Sequence, residues 1–194
     1  MALFAFDAQM ASIVRGAREP MLAQIRLQWW LDVMTQPAAL RPSANPVVAG
    51  LLPAEAAGVD LTAALGPVVR GWEALLAPND AGAWQAYVEG RGQLFTVFDQ
   101  LAGTGVRDTS LRLGRIWAAW SWVREDAGAA DAQRFAISAD DLAWLASVRL
   151  PRRLRPLSML GRAALLDIRR ARFDLPPGRP ALFAALVWHG LTGW

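Results

Sequence analysis

The side chains able to do chemistry are few and unevenly placed. Histidine occurs once, as His189 within the apolar run from Ala181 to Trp194, so any imidazole-dependent reaction rests on one residue that reads first as structural. Cysteine is absent, which excludes disulfides, thiolate nucleophiles and Cys-ligated zinc or iron–sulfur sites. Adjacent carboxylates, a grouping suited to a divalent cation, occur at Glu125-Asp126 and at Asp140-Asp141. The second pair follows Ser138 where a helix should begin, and the expectation there is an N-cap at Ser138 or Asp140. The sequence has no G-x-S-x-G elbow, no phosphate-binding G-x-x-x-x-G-K-[ST] loop, no G-x-G-x-x-G and no H-E-x-x-H, which removes several large enzyme classes. Ten tryptophans could line an aromatic ligand cavity. Trp117 and Trp120 lie one turn apart, however, and Trp29 falls on an apolar stripe, so core packing is the expected use.

These residues must be positioned by helices. The chain of 194 residues, 54% hydrophobic and 19% charged, is apolar enough to bury a large core within one domain spanning 1–194. Helical periodicity dominates, and no period-2 run bounded by hairpin turns is present. Leu3, Phe6, Met10, Ile13 and Val14 fall on one side of a first helix ending at Gly16, with Asp7, Ser12 and Arg15 elsewhere on its circumference. A second helix starts at Glu19-Pro20, turns Leu22, Ile25 and Trp29 inward, and stops at Pro37. Four prolines mark 36–53 as a connection holding at most one helical turn. Further helices are predicted over 59–76, 82–102, 109–125, 140–148, 152–173 and 180–192.

The segments ALFAFDAQMASIVR and EPMLAQIRLQWWLDVM resemble the opening helices of the squalene/phytoene synthase family, and the similarity continues through Tyr87–Gly103 and the 114–124 helix. The resemblance implies an all-α, single-domain helical bundle of the isoprenoid synthase type, shortened relative to typical members. It also implies two aspartate-rich motifs on facing helices, whose carboxylates hold the magnesium ions that grip a prenyl diphosphate. The first such motif, D-D-I-V-D, falls here on Ala11-Ser12-Ile13-Val14-Arg15, so its metal-binding aspartates are replaced by Ala11, Ser12 and Arg15. The second, R-D-x-x-x-D, falls on Arg124 to Ala129, where Arg124 and the acidic Glu125 remain and Asp126 and Asp131 are near. Arg15 facing Glu125 across a cavity would put an ion pair in place of the metal cluster; Arg15 pointing to solvent would undo that idea.

One branch of the family lacks these aspartates, keeps a segment like Arg26-Leu27-Gln28-Trp29-Trp30, and assembles respiratory complex I. The leading expectation is therefore a catalytically inactive relative that acts by binding a protein partner at the membrane or a prenyl lipid, without metal or cofactor. The alternative is a divergent prenyltransferase acting on farnesyl or geranylgeranyl diphosphate in squalene, hopanoid or carotenoid synthesis, with Tyr87, Arg124, Glu125 and Asp126 as its catalytic residues and Mg²⁺ as cofactor.

All 20 basic residues are arginine. Nine of them face two aspartates between Arg149 and Arg179, a local charge of +7 that leaves −4 for the rest of a +3 chain. This basic lobe suits peripheral contact with an anionic membrane. Nucleic acid is the less expected partner because no reading motif accompanies the charge. The N-terminal MALFAFDAQM has no secretory-signal pattern, and the expected location is the cytoplasm, with the inner membrane surface as a peripheral site.

Overall fold

The computed structural model describes residues 2–77, 82–125, 137–170, 173 and 180–192. Among them the chain is all-α: α1 (Ala2–Arg15), α2 (Pro20–Thr35), α3 (Pro46–Ala56), α4 (Leu61–Ala74), α5 (Ala83–Ala102), α6 (Arg107–Glu125), α7 (Ala139–Ser147), α8 (Arg155–Arg170) and α9 (Pro180–Thr192). The boundaries follow local chemistry. Pro20 and Pro46 occupy first-turn positions, where a missing N–H costs nothing. Asn45, Asp60 and Ser138 accept hydrogen bonds from first-turn amides of α3, α4 and α7, as N-caps do. Gly103 ends α5 in the left-handed region at φ 62°, which glycine adopts without a Cβ penalty.

The centre of the bundle is the α4–α5–α6 layer, drawn together at glycines. A Cβ on Gly90 would lie 2.1 Å from the Pro67 carbonyl oxygen of α4, and one on Gly114 would lie 2.3 Å from the Gly92 carbonyl oxygen. Only hydrogen fits at these crossings. Glycine in a helix interior costs roughly 1 kcal/mol relative to alanine, and here the close approach of three backbones offsets it.

Three expectations from sequence are corrected. Leu22, Ile25 and Trp29 are exposed on α2, Ile25 by 60%, while Ala23, Leu27, Trp30, Val33 and Met34 are buried. α2 is apolar on most of its circumference, so periodicity finds a stripe without ranking the two candidate faces; packing on α4 and α1 selects the one carrying Leu27 and Trp30. Trp29 accordingly lies outside the core, edge-on to Trp30 with ring centroids 5.0 Å apart. The 36–53 segment holds more than one turn: a short 3₁₀ turn at Ala38–Leu40 precedes the three-turn α3. Burial of Val48, Leu51 and Ala54 outweighs the cost of Pro53 inside the helix. Arg41 holds this region in place, donating from Nε to the Val33 and Gln36 carbonyls and from Nη2 to the Met34 carbonyl while pairing with Glu55 of α3. It thereby satisfies the carbonyls left open at the end of α2. Finally, Asp7 is not on the outer circumference of α1 but buried with Phe6 and Met10.

Candidate functional site

Asp7 is buried because α5 brings it a partner. Arg91, between Gly90 and Gly92, projects from the tightly packed α5 and is fully enclosed. Its Nε donates to both Asp7 carboxylate oxygens at 3.0 Å, and its Nη2 donates to Asp7 Oδ2 at 2.7 Å. Its Nη1 donates to the Tyr87 hydroxyl and to Ser121 Oγ. Trp72 Nε1 donates to Asp7 Oδ1 at 2.9 Å, and the Trp117 ring lies 4.3 Å from the guanidinium carbon. Four helices thus converge on one neutral pair. Burial pushes the Tyr87 hydroxyl up to about 12, with the Arg91 cation opposing that shift. Burial pulls the Arg91 guanidinium down, but the Asp7 carboxylate and then Tyr87 more than reverse it, leaving Arg91 above its ordinary range. Arg91 stays charged, and the polar groups of the cluster satisfy one another.

Above this floor opens a cavity of about 430 Å³, walled by Phe4, Ala11, Ser12, Arg15 and Glu125. Arg15, in the last turn of α1, forms an ion pair with Glu125, the last residue of α6. Its guanidinium carbon lies 5.6 Å from the centroid of the Trp72 ring and 5.3 Å from that of Trp122, a placement favoured by cation–π attraction. The pair bridges two helices at the cavity mouth. Both carboxylates of the cavity are therefore neutralised by arginine, Asp7 by Arg91 and Glu125 by Arg15. Among the described residues no group of three His, Asp or Glu side chains could hold a metal ion. Among the described residues the donor set does not fit a magnesium cluster, which needs several free carboxylate oxygens.

The remaining sequence candidates separate. Tyr87 lies beneath the cavity in the Arg91 cluster. Arg124 turns the opposite way from its neighbour Glu125: its Nη1 donates to Asp167 of α8 at 2.7 Å and its guanidinium lies over Trp120. Asp126, Ala129 and Asp131 lie outside the described residues. Ala11, Ser12 and Arg15 share the cavity wall with Glu125. His189 is buried, with Nε2 2.8 Å from Ser158 Oγ, consistent with its structural reading. Asp140 and Asp141 both pair with Arg112. Burial raises the Asp141 carboxyl, but hydrogen bonds from Arg112 and Ser138 outweigh it and hold the carboxyl below the usual range.

Sequence reasoning missed Asp7, Arg91, Ser121 and Asp167. For Arg91 a signal existed in Gly90-Arg91-Gly92: two glycines inside a helical pattern mark close backbone approach, and a charge between them must enter the crossing. Asp7, Ser121 and Asp167 carry no comparable local mark, since their partners lie 84, 30 and 43 residues away in sequence.

No protein-family model matches this chain, and neither a curated protein nor a solved structure does so.

Proposed function

We propose that this chain is a catalytically degenerate protein of the squalene/phytoene synthase type, with an isoprenoid-synthase-like bundle that acts by binding rather than by turnover. The observation that carries the reading is the Arg15–Glu125 ion pair. Ala11, Ser12 and Arg15, which resemble the first metal-holding motif, share one cavity wall with Glu125, which resembles part of the second, and there a cation of the protein itself meets the retained carboxylate. An arginine in that position supplies the positive charge that magnesium supplies in a synthase, and it cannot be exchanged with a diphosphate substrate.

The reading extends to partner. The branch that the Arg26–Trp30 segment resembles assembles respiratory complex I, and we assign this chain a related role at a protein partner. The exposed Met21, Leu22, Ile25 and Trp29 of α2 support binding, because an apolar stripe of this kind on a helix suits a protein interface.

The experiment is magnesium-dependent release of diphosphate from farnesyl and geranylgeranyl diphosphate by the purified chain. Glu125→Ala is the control of choice, because Arg124 holds a buried carboxylate and its removal would also disturb the fold. No release at high protein concentration is expected; release that Glu125→Ala abolishes would establish the prenyltransferase alternative instead.

A further inference from the structure

We propose that α9, together with the arginine edge of α8, is a docking surface for an anionic lipid bilayer. This inference does not rest on the reading of the central cavity. α9 contains no Asp, Glu, Lys or Arg. At 1.5 Å per residue it is roughly 20 Å long, short of the roughly 30 Å hydrocarbon core, and among the described residues no helix is long and apolar enough to cross a membrane. Such a helix needs apolar surroundings on every side, and the protein supplies them on one. Leu182 and His189 are buried, and Arg155 Nη1 donates to the Gly190 and Leu191 carbonyls at 3.0 and 3.1 Å, fastening the end of α9 to the start of α8. On the other side Phe183, Val187, Trp188 and Leu191 are 42% to 73% exposed. Their spacing of four, five and eight residues from Phe183 places them on one continuous face.

The flank of that face is positive. α8 and α9 run antiparallel, and Arg155, Arg162 and Arg169 recur every seven residues along one line of α8, beginning where Arg155 meets the end of α9. Arg162, Arg149 and Trp188 share the walls of one cavity of about 330 Å³, so guanidinium groups and an indole open onto the same surface. The single acid of α8, Asp167, is completely buried and paired with Arg124, and subtracts nothing from the outward charge. An apolar face bordered by cations and edged with tryptophan is the arrangement of a helix lying in the membrane interface, with apolar side chains among acyl chains and arginines at the phosphates. The arginines border the apolar residues instead of alternating with them. That separation favours a layered surface over an acidic protein, whose interface would mix the two.

Vesicle flotation tests this with phosphatidylcholine alone and with phosphatidylcholine containing phosphatidylglycerol. The protein is expected to float only with the anionic vesicles, and added salt should weaken the association by screening. Phe183→Ser with Leu191→Ser changes exposed positions, so the helical circular dichroism should be retained while vesicle binding falls about tenfold or more through lost apolar burial. Arg162→Gln should lower it about fivefold. Absence of binding to anionic vesicles would overturn the proposal in favour of a protein partner. Full binding by the double-serine variant would overturn it as well, leaving only diffuse charge attraction. So would a dimer in light scattering that the double-serine variant dissociates, because a second copy would then cover the face.

Discussion

The floor and the mouth of the α1–α6 cavity use the same chemistry, an arginine against a carboxylate, in different surroundings. At the floor, the side chains of Arg91 and Asp7 are 4% and 5% exposed and every strong group around them is satisfied by Tyr87, Ser121 or Trp72. At the mouth, Arg15 and Glu125 are 32% and 43% exposed, and Arg15 rests on the Trp72 and Trp122 rings. Desolvation makes the floor intolerant of losing one partner, whereas water and salt can replace either partner at the mouth. The floor therefore holds the helices together. The mouth is where a ligand or a neighbouring chain could act without unfolding the protein.

The largest effect that would test this contrast is Arg91→Ala, which strands Asp7 in the core and should cost about 3–5 kcal/mol in urea unfolding. A loss below about 1 kcal/mol would mean that the floor is as solvated as the mouth. Gly90→Ala comes next: the new methyl must displace the α4 backbone, and a loss of about 1–3 kcal/mol is expected from overpacking, again read by urea unfolding.

The sole tyrosine gives a third handle, because phenolate absorbance reports Tyr87 alone. Its folded value of about 12 stands above the ordinary phenol value of 10.0, so its contribution to stability is intact below pH 10.0. It declines as pH rises from there and is lost above about 12. Absorbance during alkaline titration should therefore rise together with loss of helical circular dichroism rather than before it; a phenolate forming near pH 10.0 in folded protein would show that the floor is open to water.

The smallest effect belongs to the mouth. A double-mutant cycle on Arg15→Ala and Glu125→Ala should give a coupling of about 0.2–1 kcal/mol that shrinks with salt. A coupling of several kcal/mol would erase the distinction between the two regions.

Much of the helical framework was legible in the sequence because caps, prolines and glycines act locally. Pro20, Ser138 and Gly103 mark ends that the structure places within one or two residues of expectation. Which face of a helix turns inward is a different matter. α2 offers two apolar faces, and only its packing on α4 and α1 decides that Leu27 and Trp30 go in while Ile25 stays out. At the mouth of the cavity the sequence left two alternatives, Arg15 facing Glu125 or Arg15 in solvent, and the ion pair selects the first. The floor was not readable, since Asp7 and Arg91 are 84 residues apart and neither has a helical neighbour that identifies the other. A buried charge declares itself only when the element that neutralises it is in place.

The measurement closest to the central claim is the melting temperature of the protein with farnesyl diphosphate, recorded with and without magnesium and repeated on Glu125→Ala. Ligand bound to a retained metal site raises the melting temperature by mass action. The account predicts no magnesium-dependent change, because Arg15 already occupies the carboxylate; a rise that requires magnesium and disappears in Glu125→Ala would contradict it.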